Sequence, residues 1–207
     1  MSEESSGKRV TVYAASSHAL SPNYFDVAAR LGRALAEAGH PIVYGGGGTG
    51  LMGAMADAAL AAGGEVHGVI PEFLTTLEKG HPGLTSMDVV PNMRIRKEKM
   101  LIDSAAVVTL PGGCGTFEEV FEAMTLKRLG QYFGPIVLVN ADGYYDKLIE
   151  FLRHSVREKF MSQAHLDLWH TVDRAEDVPD ALATLEPWSA DALKFASVDA
   201  DDASASG

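Results

Sequence analysis

Val107-Val108-Thr109-Leu110-Pro111-Gly112-Gly113-Cys114-Gly115-Thr116-Phe117-Glu118-Glu119-Val120 reads as a buried strand, a glycine-rich turn and the start of a helix in unbroken succession. Apolar and β-branched residues end at a proline, which cannot continue a ladder, and three glycines in four positions let the chain turn tightly and approach a ligand without Cβ obstruction. Where such a turn opens a helix, unpaired N–H groups converge and the helix dipole adds partial positive charge. An anion, most often a phosphate, is the natural occupant.

The same pattern occurs earlier. Pro41 to Tyr44 reads as a strand and runs into Gly45-Gly46-Gly47-Gly48-Thr49-Gly50, after which Leu51, Met52, Met55 and Ala59 mark one face of a helix ending at Gly63-Gly64. Around these two units the spacing predicts strands at Arg9 to Ala15, Glu65 to Ile70, Met87 to Val90, Pro135 to Asn140 and Leu168 to Val172. Helices are predicted from Pro22 to Ala38, Met93 to Asp103, Thr116 to Leu129, Tyr144 to Arg157 and Ala175 to Leu185. Residues 71–85 read as a loop able to lie over a site. Strands alternating with helices imply right-handed crossovers, hence a Rossmann-like α/β fold with a mostly parallel sheet covered on both faces. Ligands in such sheets bind beyond the carboxyl ends of the strands, so both glycine loops are expected to face one cleft.

The chain's 207 residues fit a single domain over residues 9–187, between a polar tail at 1–8 and an acidic tail at 188–207 that reads as disordered. Acidic residues outnumber basic ones by 28 to 17, for a formal charge of −11. That balance disfavours nucleic acid and anionic membranes as partners. The lone cysteine allows no internal disulfide, the start does not read as a signal peptide, and no apolar run approaches membrane-spanning length, so the expectation is a soluble, cytoplasmic protein.

Candidate phosphate- and substrate-binding residues are Gly46, Gly47, Thr49 and Gly50 in the first loop, and Gly112, Gly113, Gly115 and Thr116 in the second. The first loop taken alone reads equally well as a turn that packs a helix on its strand, and it lacks the Gly-Lys-Ser/Thr of a P-loop. On the helix after the second loop, Phe117, Phe121 and Met124 are expected to form the core stripe. Glu118 and Glu122 share another face, while Glu119 falls within about 60° of Thr116, one turn above it. Glu119 is thus the carboxylate best placed beside a loop-bound ligand, although a solvated face is the ordinary fate of a glutamate. In so acidic a chain, Arg94, Arg96 and Lys97 on the basic helix are expected to supply countercharge to the cleft. Cys114 could act as a nucleophile at its helix start, but no histidine base accompanies it. The seven histidines show no ligand spacing, and no metal is expected.

Three segments together resemble the Lonely Guy family, often labelled "possible lysine decarboxylase": Gly45 to Gly53, Met93-Arg94-Ile95-Arg96-Lys97, and Pro111 to Glu119, which matches the pattern PGGxGTxxE in full. The resemblance spans about Arg9 to Leu185. It implies a phosphoribohydrolase that splits the N-glycosidic bond of cytokinin riboside 5′-monophosphates, and often of AMP, to free base and ribose 5-phosphate. It further implies Arg96 and Glu119 as catalytic, Gly113, Gly115 and Thr116 as phosphate-binding, no cofactor, and an assembly of at least two chains. Apolar faces of the helices Leu51 to Ala62 and Phe117 to Leu129 could supply the subunit interface. Arg94 stands where many members have histidine, and Cys114 where tyrosine or phenylalanine is common; both bear on the preferred base. Lysine decarboxylation fits poorly, because it uses pyridoxal phosphate on a Schiff-base lysine that nothing in the sequence marks. The contrasting class is a non-catalytic nucleotide-binding or molybdenum-cofactor carrier, which needs the glycine loops but no carboxylate at C1′.

Overall fold

A computed structural model describes residues 8–76 and 79–188. Within them lies one seven-stranded sheet with every neighbouring pair parallel. In chain order the strands are β1 (Val10–Tyr13), β2 (Ile42–Tyr44), β3 (Val66–Pro71), β4 (Ser86–Val90), β5 (Ala106–Thr109), β6 (Ile136–Val139) and β7 (His170–Val172). Across the sheet they run β4-β3-β2-β1-β5-β6-β7. The central strands are apolar on both faces because helices cover both. One core joins Val10, Val12, Ile42, Tyr44 and Val108 to helices α1 (Pro22–Glu37), α2 (Gly50–Ala61) and α6 (Val178–Thr184). The other joins Tyr13, Val43, Val107 and Leu138 to α3 (Met93–Leu101), α4 (Cys114–Arg128) and α5 (Asp146–Arg157). Among the described residues no helix is long and apolar enough to cross a membrane.

The expected elements are all present, with shorter bounds at several ends. The helix expected from Ala175 starts as a 3-10 turn before α6, and residues 163–168 form another ahead of β7. Trp188 donates its amide to Phe133 at 2.7 Å and stacks over the Lys127 ammonium, 5.3 Å from ring centroid to Nζ. The expectation of a disordered tail over Ser197 to Gly207 lies outside the described residues.

Two packing expectations are corrected. On α4 the buried face is Thr116, Glu119, Val120, Ala123, Met124 and Lys127, while Phe117 is half-buried and Phe121 is exposed at 36%. The helix is rotated so that its small residues pack on the sheet and the Glu119 carboxylate turns inward, which pushes the aromatics to the rim. On α2, Leu51, Met52, Met55 and Ala59 are buried within the chain, beside α1, so this apolar face is already covered.

Strand order reverses between β1 and β5, whose register runs Val10 to Ala106 through Tyr13 to Thr109. At that switch point the loops leaving the two strands diverge to opposite faces, and a crevice opens at their carboxyl ends.

Candidate active site

The crevice is a cleft of about 340 Å³, within the range of roughly 300–1,000 Å³ usual for small-ligand sites. Residues 14–17 after β1 form one wall and Gly113, Cys114, Gly115 and Thr116 the other, with Arg96 and Glu119 at the base and Gly45, Met52 and Met93 alongside. A larger hollow of about 680 Å³ lies at the opposite, amino-terminal edge of β1, β5 and β6, and holds no such carboxylate–arginine pair.

The second loop leaves backbone amides open at a helix start, an arrangement suited to an anion. Gly113 caps α4 and its carbonyl accepts from the Phe117 amide at 2.9 Å. The amides of Cys114, Gly115 and Thr116 precede this first helical bond, and among the described residues they donate to no other backbone carbonyl. Cβ atoms on Gly113 or Gly115 would meet nothing within 4 Å, so both face open space. Gly112 serves the turn itself, since a Cβ there would lie 2.1 Å from the Thr116 hydroxyl, and its bareness lets Thr116 fold back under the turn. Its carbonyl accepts from the Tyr144 hydroxyl at 2.7 Å, which fixes the turn from α5's side.

The first loop is built otherwise. Leu51 and Met52, at the start of α2, both direct their amides to the carbonyl of Ala15, at 2.9 and 3.3 Å. Gly46 accepts from the His81 amide, Gly48 donates to Lys79, Gly47 accepts from the buried Tyr44 hydroxyl, and Thr49 donates its hydroxyl to Ser16. The segment around 79–81 thus docks on this loop rather than across the cleft. Gly46, Gly47, Thr49 and Gly50 were expected at the ligand; none lines the cleft, and the Gly46 and Gly47 carbonyls and the Thr49 hydroxyl are bonded within the protein. Only Gly45 reaches it.

On the basic helix the expectation of three cleft cations reduces to one. Arg96 is buried, 7% exposed; its Nε donates to Val69 O at 3.1 Å and its Nη2 to Gly45 O at 3.2 Å, which leaves Nη1 3.9 Å from Glu119 Oε1. Asn92 sets this geometry by capping α3, its side chain accepting from the Ile95 amide at 3.1 Å. Arg94 is exposed, and Lys97 turns to Glu118 and Glu122; neither lines the cleft, and nor does Gly112. Successive helix positions diverge by about 100°, so three neighbouring cations cannot share one target.

Glu119 is 9% exposed. Burial pushes its carboxyl up to about 7, Arg96 and Lys97 pull it down, and Glu118 and Glu122 push it up again. Desolvation therefore outweighs the Arg96 charge. Such a carboxylate, only marginally charged at neutral pH, gains from any cationic centre that forms beside it. Sequence reading missed Ala14, Ser16, Ser17, Met52 and Met93; the signal for the first three was their place just past the end of a central strand. Cys114 is exposed at the rim, and none of the cleft's lining residues is a histidine. No group of three or more metal-ligating side chains occurs among the described residues.

The family model described as "possible lysine decarboxylase" matches residues 52–182. The chain is 42% identical over 158 residues to the cytokinin riboside 5′-monophosphate phosphoribohydrolase of Rhodococcoides fascians, covering 76% of this chain and 80% of that one. It is 36% identical over 180 residues to one such enzyme of Arabidopsis thaliana, covering 87% and 83%. Among solved structures, the molybdenum cofactor carrier protein of Chlamydomonas reinhardtii superposes with a TM-score of 0.66 at 22% identity, covering 84% of this chain and 95% of that one. The molybdenum cofactor binding protein of Rippkaea orientalis gives 0.62 at 20%, covering 85% and 94%. At such identities these two likenesses show the fold alone.

Proposed function

The chain belongs to the Lonely Guy family, the "possible lysine decarboxylase" family of the model match, and on that premise we propose that it hydrolyses the N-glycosidic bond of purine riboside 5′-monophosphates, cytokinin nucleotides and AMP among them. The products are free base and ribose 5-phosphate. The observation that carries the reading is the buried Glu119 carboxylate facing Arg96 within one cleft that also holds the unpaired start of α4.

Seated on the amides of Cys114, Gly115 and Thr116, a 5′-phosphate fixes the ribose in the cleft and supplies positioning energy remote from the reacting bond. As the bond from C1′ to the purine nitrogen breaks, its electron pair leaves with the base and the ribose ring becomes cationic. Glu119 stabilises that charge, and it accepts the proton of the water whose oxygen bonds to C1′; the proton then passes to the departing base. Arg96, tied through two donors to Val69 and Gly45, is a fixed cation that keeps Glu119 from protonating fully as substrate enters. A carrier role, the contrasting reading, would need the anion seat but gives no reason for this carboxylate–arginine pair.

The reading extends to assembly and compartment. A homodimer, or a larger assembly, fits the apolar surface along α4 and α5, where Phe121, Phe151 (62% exposed) and Phe160 (80% exposed) flank a groove lined by Met124, Leu152 and Trp169. A reducing cytoplasm fits the single exposed thiol. The test is incubation with AMP and chromatography for free adenine. Release by the wild type and none by Glu119→Gln, with binding retained, supports the assignment; no release from AMP or from any cytokinin riboside monophosphate overturns it.

A further inference from the structure

Lys97 has no part in the chemistry above, yet it is among the most tightly held cations of the chain. Its ammonium bonds both Glu118 and Glu122, two carboxylates one helical turn apart on α4, and its side chain is only 17% exposed. Left alone, such a like-charged pair on one helix face repels itself. Arg96, the preceding residue on α3, faces Glu119, which lies between the two in sequence. Consecutive cations of α3 thus interleave with three carboxylates of α4.

We propose that Lys97 is a positioning residue: by bridging Glu118 and Glu122 it pins α3 to α4, holds Arg96 against Glu119, and screens Glu119 from its two carboxylate neighbours. This rests on Glu119 being the reacting carboxylate. The charged and titratable groups facing Glu119 are Arg96 and Lys97 from α3, Tyr13 from β1, and Glu118 and Glu122 on α4 itself. Tyr13 stays neutral, since burial and then Glu119 push its hydroxyl well above its ordinary value. Lys97 therefore supplies the charge that partly offsets Glu118 and Glu122. On Lys97 itself burial opposes the charge, but the bonds to the two glutamates raise it on balance.

The experiment is a titration of the Glu119 carboxyl by NMR on full-length protein labelled with ¹³C-glutamate, run beside the pH profile of kcat/KM for AMP. Lys97→Met should raise the Glu119 midpoint by at least about 0.5 pH units and move the acid limb of kcat/KM the same way, with KM at high pH unchanged. The double variant Glu118→Gln/Glu122→Gln should lower both, because Lys97 is then unopposed; it carries the test even if Lys97→Met fails to fold. Removing all three charges should leave the midpoint between those of the wild type and the double variant, and Lys97→Arg should keep the wild-type value. A folded Lys97→Met with an unmoved midpoint overturns the proposal, as does a raised KM with an unmoved limb, which would put Lys97 on the phosphate. Turnover surviving Glu119→Gln would overturn the role of Glu119 instead, while the NMR midpoints still decide what Lys97 does.

Discussion

Arg96 and Glu119 stand 3.9 Å apart, guanidinium nitrogen to carboxylate oxygen, which is an ion pair without a hydrogen bond. The guanidinium cannot close the gap freely, because its other two nitrogens donate to the carbonyls of Val69 and Gly45. The result is a carboxyl raised from 4.5 to about 7 by burial that the cation only partly offsets. The folded state then binds the Glu119 proton more tightly than the unfolded chain does. Its contribution to stability is complete below pH 4.5 and is lost as pH rises through about 7. Glu119→Gln is therefore expected to flatten the fall in stability between those values and to gain on the order of 3 kcal/mol over wild type at pH 8, in denaturant melts run across that range. Parallel curves for the two proteins would contradict this.

Gly45→Ala tests the arginine's seat. A Cβ at position 45 would lie 2.0 Å from Arg96 Nη2, the far end of a side chain that can move. The fold should survive with a lowered Tm, since Arg96 loses a buried bond, while Arg96 swings away from Glu119 and kcat/KM for AMP falls by about 10- to 100-fold. Full activity would mean that the position of Arg96 is immaterial.

On the proposed reading the start of α4 holds the 5′-phosphate, which should then be indispensable. Adenosine is expected to be hydrolysed at least about 100-fold less efficiently than AMP, with much of the loss in kcat. Comparable rates by adenine release would move the phosphate out of the mechanism.

Lys127 is buried on the inner face of α4, and burial pushes its ammonium down to about 8 from 10.5. The charged form is thus disfavoured in the folded state, so the associated loss of stability is full below pH 8 and fades as pH rises through 10.5. Lys127→Met should stabilise the protein at pH 7 by about 1–3 kcal/mol, after allowing for the lost stacking on Trp188, and the gain should vanish in strongly alkaline buffer. A Tm that drops at pH 7 would show that the ammonium is compensated.

Assembly can be checked at Phe121. Phe121→Asp places a charge in the α4–α5 groove, and light scattering is expected to show dissociation to monomer with activity falling on dilution. An unchanged dimer would move the interface elsewhere.

The α/β alternation, the parallel sheet and the switch-point cleft were all readable in the sequence, because period and glycine–proline punctuation report them locally. The Glu119 position was readable too, since helical geometry returns it above Thr116. The face of α4 was not. Pattern reading places aromatics inside and charges outside, yet this helix buries Glu119 and Lys127 and exposes Phe121, as happens when one face serves a site and another is free to meet a partner. The first glycine loop read equally well as a packing turn, and what decides it, a bond to Ala15 from a distant strand end, was not readable.

That bond makes the cleft selective by number. Two helices begin beside it, but at the start of α2 the Leu51 and Met52 amides are already taken by the Ala15 carbonyl, while those at the start of α4 are open. A second phosphate on the same nucleotide would find the Leu51 and Met52 amides already bonded, where a nucleotide-binding site of the two-receptor kind offers free ones. The enzyme is thereby expected to tell a monophosphate from a diphosphate with no side chain set aside for the distinction, which competition of ADP against AMP would measure directly. Spent nucleotides would be open to it, while the cell's energy-carrying ones pass by.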